Sequence, residues 1–202
     1  MFLLSCSHRS PFEGIVEYRT SVAGEGMQAL DSLLQARNTG FTLYQTKNKI
    51  RIDYEEGHLS ESMIMDYGKD SVFFLFHSDS TYTSAPLIPP PQNLPSNLKQ
   101  EPTSERQTIA QYSCEGQKVS YKLRESDRVV KFWEAKDLAI PHEYSDKMPL
   151  LPPGTQVNGM PLRLEISASG QPFTVVHQAI SVQQKTLDEN IFVVPLSYRK
   201  IQ

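Results

Sequence analysis

The sequence predicts a mainly β protein: a single strongly curved antiparallel sheet, a half-barrel, with one short N-terminal helix and a turn-rich lid segment. Three observations carry that prediction. Period-two alternation recurs along most of the chain, only one stretch changes to helical spacing, and the long interruptions between strands are rich in proline.

The first strand starts at Phe12, with Gly14, Val16 and Tyr18 on one face and Glu13, Glu17 and Arg19 on the other. Residues 25–37 break the alternation, because Met27, Leu30, Leu33, Leu34 and Arg37 recur at helical spacing among good helix formers. A hairpin follows, Phe41 to Lys47 and Lys49 to Glu55, in which Ile50, Ile52 and Tyr54 oppose Arg51, Asp53 and Glu55. Strands that bury one face and wet the other are those of an antiparallel sheet. Met63 to Tyr67 and Val72 to His77 form a second pair across Gly68-Lys69-Asp70, residues that suit a tight connection.

Val72-Phe73-Phe74-Leu75-Phe76 is apolar on both faces, so its second face is expected to line a cavity or to lie under a covering segment. Ser80 to Ser84 extends the sheet. Six prolines then fall between Pro86 and Pro102, with no periodicity, and the expectation for residues 86–102 is an exposed crossover loop between two half-sheets. Further strands are expected at Thr108 to Ser113, Lys118 to Arg124, Val129 to Ala135, from Leu162, and through Phe173 and Val175 to Val182, about eleven in all. Residues 141–161, with five prolines and two glycines around Met148-Pro149-Leu150-Leu151, predict a turn-rich lid carrying a short helix. Leu187-Asp188-Glu189-Asn190 predicts a turn with capping oxygens. A strongly curved sheet with a covering helix encloses an apolar groove.

Two hundred and two residues suit one domain with a substantial core. The expected division is a tether at 1–11 and a single half-barrel domain at 12–202. Hydrophobic residues make up 39%, charged residues 21% and the net charge is −3, values that argue against disorder and against nucleic acid as a partner. No apolar run approaches the ~18 residues that a membrane-spanning helix needs.

The chain opens Met1-Phe2-Leu3-Leu4-Ser5-Cys6, and Leu-Leu-Ser-Cys resembles a bacterial lipobox, in which the cysteine is lipidated and becomes the first residue of an anchored protein. Five residues without Lys or Arg are fewer than a working signal peptide holds, so a truncated or misassigned start is expected. The alternative, an apolar N-terminus with Cys6 a free thiol, stays open. The remaining cysteine, Cys114, is expected to be buried and inert.

The sequence carries little sign of catalytic or metal chemistry. His8, His58, His77, His142 and His177 show no metal-ligand spacing, and no metal or cofactor is expected. His142-Glu143 lacks the second histidine of a zinc-protease motif, no nucleophile elbow is present, and the ten glycines form no phosphate loop. Glu55, Glu56, Glu61, Asp66, Asp137, Asp188 and Glu189 suit charged strand faces and turns, so no catalytic residues are expected. Large apolar side chains are the remaining signal. Phe74, Phe76, Met63, Met65, Trp133 and Met148 are the residues expected to line a ligand site, with Phe74 and Trp133 also expected to be buried.

Several pieces in order resemble a family of uncharacterised bacterial envelope proteins related to the LolA/LolB lipoprotein-carrier fold. They are Phe12-Glu13-Gly14-Ile15-Val16, Lys49-Ile50-Arg51-Ile52-Asp53, Ser62-Met63-Ile64-Met65-Asp66, Phe132-Trp133-Glu134-Ala135-Lys136-Asp137-Leu138, Gly159-Met160-Pro161-Leu162 and Leu187 to Pro195. The resemblance implies a half-barrel with helices plugging its open side, and export from the cytoplasm. It implies no catalytic residue.

The functional expectation is an envelope lipoprotein, periplasm-facing or surface-exposed, monomeric and anchored to a membrane through Cys6, that holds a lipid or other apolar ligand on the concave face. Two alternatives stay open: an interaction lipoprotein with a filled core that docks a protein partner, and a hydrolase.

Overall fold

The computed structural model describes residues 10–37, 39–56, 59–88 and 94–201, without the side chains of residues 36, 55, 56, 59 and 60. Twelve strands form one open sheet: β1 (Gly14–Gly24), β2 (Gly40–Gln45), β3 (Lys49–Glu56), β4 (Leu59–Asp66), β5 (Ser71–Phe76), β6 (Thr81–Pro86), β7 (Ser96–Ile109), β8 (Tyr112–Leu123), β9 (Ser126–Ala139), β10 (Gly159–Ala168), β11 (Phe173–Gln184) and β12 (Arg199–Lys200). A single α-helix, α1 (Gln28–Ala36), follows β1. Their order across the sheet is β12-β6-β5-β4-β3-β2-β1-β11-β10-β9-β8-β7. All neighbours are antiparallel except β12, a two-residue strand that runs parallel to β6. The fold is a curved, unclosed half-barrel. β7 lies four places from β11 yet touches it, a sign of how far the sheet curls.

Alternation decides which side chains face inward. Val16 opposes Leu43, which opposes Ile52, which opposes Met63, which opposes Phe74, so five consecutive strands aim one apolar row at the inner face. On the other side of β1, Ala179, Leu164, Phe132 and Val119 are buried in the same core cluster. Tyr18 and Phe41 stack with ring centroids 4.6 Å apart, and the buried Tyr18 hydroxyl donates to the Pro161 carbonyl at 2.6 Å.

The outer face of β3–β6 is covered as well. Ile64 and Leu75 form a second cluster with Phe192, flanked by Phe73, Tyr82, Ile191 and Tyr198. The chain after β11 straps over this face, turning at a 3-10 helix (Glu189–Phe192) whose Asp188 carboxylate accepts the Asn190 N–H at 2.9 Å. This explains the doubly apolar β5: its inner face carries Val72 and Phe74, and its outer face lies under the strap.

Three expectations need correction. The 86–102 stretch is a loop only in part, since β7 begins at Ser96 and runs through Pro102 beside a register shift. Proline is tolerated there because β7 is the sheet edge and needs one set of ladder bonds only. Residues 89–93 lie outside the described residues. The strand expected over Thr108 to Ser113 is a two-residue hairpin turn at Ala110-Gln111, with φ of 46° and 74°. Finally, the helix does not cover the sheet: α1 packs against β1, with Asp31 accepting the Val22 N–H at 3.0 Å, and leaves Leu30 and Leu33 exposed.

Candidate ligand-binding site

The segment 141–158, between β9 and β10, covers the inner face in the helix's place. It holds only a 3-10 turn, His142–Tyr144, and is tied at several points. Tyr67 at the end of β4 stacks on Tyr144 with centroids 4.1 Å apart and donates its hydroxyl to the Lys147 carbonyl at 3.2 Å. Burial, then the Tyr144 and Asp146 charges, push the Tyr67 phenol well above its ordinary pKa. Gln100 on β7 grips Gln156 twice, through the Gln156 carbonyl at 2.8 Å and its N–H at 2.9 Å. Glu134, 1% exposed, accepts the N–H groups of Asn158 and Gly159 at 2.7 and 3.1 Å, fastening the segment where it enters β10.

Between this segment and strands β4–β6 lies a cavity of about 640 Å³. The sheet contributes Met63, Met65, Val72, Phe74 and Ala85; the segment contributes Met148, Pro149, Leu151, Pro153 and Gly154. Leu87 and Ile88 after β6, with Leu94 and Pro95 before β7, line it from a third side. Leu87 is held by its N–H on the Asp70 carbonyl at 3.1 Å. Asp146 and Lys147 are the two charged residues of the lining. A volume of that size is typical of pockets for small ligands, about 300–1,000 Å³.

Of the six residues expected to line a ligand site, Met63, Met65, Phe74 and Met148 do so, and the structure brings them together from two strands and the covering segment. Phe74 is 38% exposed, which corrects the expectation that it is buried, because its ring borders the open space. Phe76 sits at the end of β5, paired with Glu61 and Thr81, away from the lining. Trp133 is buried as expected but on the opposite face of β9 from Phe132, where Thr103 of the β7 bulge, Gly116 and the Arg163 guanidinium, 5.5 Å from the ring centroid, surround it. It takes no part in the cavity. Cys6 lies outside the described residues.

Sequence reasoning missed further lining residues, among them Val72, Ala85, Leu94, Pro95, Asp146 and Lys147. Val72 shares a face with Phe74, so strand alternation could have found it. The others follow the sheet's curvature and carry no local signal.

Among the described residues, no cluster of His, Cys, Asp or Glu could hold a metal ion. One polar network lies on the outer face. His77 Nε2 is 2.7 Å from Ser62 Oγ and its Nδ1 is 2.5 Å from the Tyr198 hydroxyl; Ser62 donates to Asp53 at 2.6 Å; Arg51 reaches Asp53 at 2.6 Å and the Ile191 carbonyl at 2.7 Å. Here the carboxylate accepts the serine hydroxyl's hydrogen bond instead of orienting the imidazole, which differs from a nucleophile–base–orienter array. Its geometry fastens the C-terminal strap. Cys114 is buried, and burial pushes its thiol up to about 11 against a backbone hydrogen bond at Ile109. Among the described residues no helix is long and apolar enough to cross a membrane.

No protein-family model and no curated protein matches the sequence. Among solved structures, the chain is similar to the crystal structure of a DUF1329 family protein from Desulfovibrio piger, with a TM-score of 0.27 and 7% identity over 91% of this chain and 90% of that one. At that distance the likeness leaves the character of the site to its own residues.

Proposed function

We propose that this protein is a cell-envelope lipoprotein that binds a lipid or other apolar ligand on the inner face of its half-barrel, by shape and burial and without covalent chemistry. The observation that carries the reading is the apolar cavity of about 640 Å³ between β4–β6 and the 141–158 segment. A fully packed interior would have favoured an interaction protein, and a polar cleft with convergent carboxylates a hydrolase. Three methionines in the lining suit the reading, because unbranched thioethers adapt to ligands of varied shape. The lipobox-like Leu3-Leu4-Ser5-Cys6 supports a membrane anchor, and with it an envelope location.

Native mass spectrometry of protein purified from membranes tests the binding function. The proposal expects an added mass that organic extraction removes; a bare chain that also fails to bind a hydrophobic dye would refute it. The anchor is tested separately, by fractionating cells that make the protein behind a complete leader. Cys6→Ala is expected to move it from the membrane to the soluble fraction, and unchanged membrane association would refute the anchor.

A further inference from the structure

The charges at the cavity distinguish between kinds of apolar ligand. Lys147 is half-buried and lines the cavity, yet it makes no ion pair among the described residues. Lys49, Lys118, Lys131 and Lys136 each have a carboxylate within 3.3 Å. With no carboxylate among the described residues paired to Lys147, its ammonium is available to an anionic group brought to the cavity. The adjacent Asp146 is no exception. No ion pair joins the two, and the Asp146 charge lies near enough to the Tyr67 phenol to raise its pKa behind burial and Tyr144. The other lining side chains are hydrocarbon, thioether, proline and glycine, none of which carries a charge for a second ionic group.

We infer that the cavity takes a single-chain anionic amphiphile, an alkyl chain ending in a carboxylate, with the chain against Met63, Met65, Phe74 and Met148 and the head at Lys147. The inference rests on the binding function proposed above and adds the ligand's charge and the residue that reads it. The volume is ample for one alkyl chain. Methionine and phenylalanine grip a flexible chain without demanding one length.

The test is calorimetric titration of the full chain with decanoate, decan-1-ol and decyltrimethylammonium at low salt, below their aggregation concentrations. Decanoate is expected to bind roughly tenfold more tightly than the alcohol, the step a single charge-assisted contact supplies, and the cation most weakly. Lys147→Gln is expected to remove the preference for decanoate and leave decanol affinity unchanged within about twofold, with an unaltered melting temperature showing that the fold is intact. Raising the salt should narrow the gap in the wild type, because a half-buried pair is still partly screened. Equal affinities for decanoate and decanol in the wild type would overturn the inference and leave the binding function standing, as would a Lys147→Gln variant that weakens both alike. Failure of all three probes to bind would overturn both.

Discussion

Trp133 offers a perturbation whose size can be worked from opposing terms. The side chain is 2% exposed, so truncation to alanine removes a large buried ring, about 3–5 kcal/mol for such residues. It also loses the Arg163 guanidinium 5.5 Å from the ring, about 0.5–1 kcal/mol. Against this, the indole N–H is buried and finds no acceptor among the described residues, a defect that costs about 1–3 kcal/mol and disappears with the ring. Trp133→Ala therefore costs about 2.5–3 kcal/mol net. Trp133→Phe keeps much of the apolar ring and also removes the stranded donor, so it should lie within about 1 kcal/mol of wild type. Urea unfolding followed by far-UV circular dichroism measures both; Trp133 is the only tryptophan, so its fluorescence cannot serve the variants. A Trp133→Phe variant as unstable as Trp133→Ala would refute the reasoning, because it would mean that the N–H makes a bond worth keeping.

Three further outcomes are expected. Gln111→Gly should stabilise the protein by roughly 0.5 kcal/mol in urea unfolding, since glycine relieves about 1–2 kcal/mol of strain at φ 74° and forfeits about 0.5–1 in chain entropy; a loss above 1 kcal/mol would contradict the turn. In a Cys6→Ser background, Cys114 should resist maleimide at pH 8 in the native state, where a thiol pushed up to about 11 is ionised to about one part in a thousand, and react fully in urea; rapid native labelling would show an open site. His177, whose pKa burial holds below its ordinary 6.5, is neutral when folded while the unfolded chain takes up the proton first. Its contribution is therefore full above pH 6.5 and lost as pH falls through the depressed value, so the urea midpoint should drop more between pH 7 and 5 in wild type than in His177→Gln; parallel curves would contradict this.

Much of the sheet was legible because burial on one face writes itself as alternation, as in Val16–Tyr18 opposite Leu43 and Phe41. What was not legible follows from physics that acts at a distance. Ala110-Gln111 carries no turn residue, so the β7–β8 hairpin is imposed by the pairing on either side of it. β7 is polar and contains Pro102, which a local reading takes for a loop, and only its place at the edge lets it pair. Trp133 misleads because a row of large side chains does not say which of two covered faces each one occupies, and Phe76 because it shares the face of Phe74 but sits at the end of β5, beyond the cavity. Met63, Met65 and Phe74 could be found, since they share a face and a register, and Met148 was found as the apolar centre of a proline-rich segment. Leu87, Leu94 and Pro95 join them only once the chain has crossed from one edge of the sheet to the other.

The most direct test of a ligand cavity between β4–β6 and the 141–158 segment is nuclear magnetic resonance of protein carrying 13C-labelled methionine methyls, titrated with decanoate and with decan-1-ol. The methyls of Met63, Met65 and Met148 should shift and saturate together with at least one of these chains, while Met160, fully buried and away from the cavity, and Met27, beside α1, stay in place. Unmoved resonances for Met63, Met65 and Met148 at saturating concentrations of both chains, or shifts of equal size at Met160, would contradict the account.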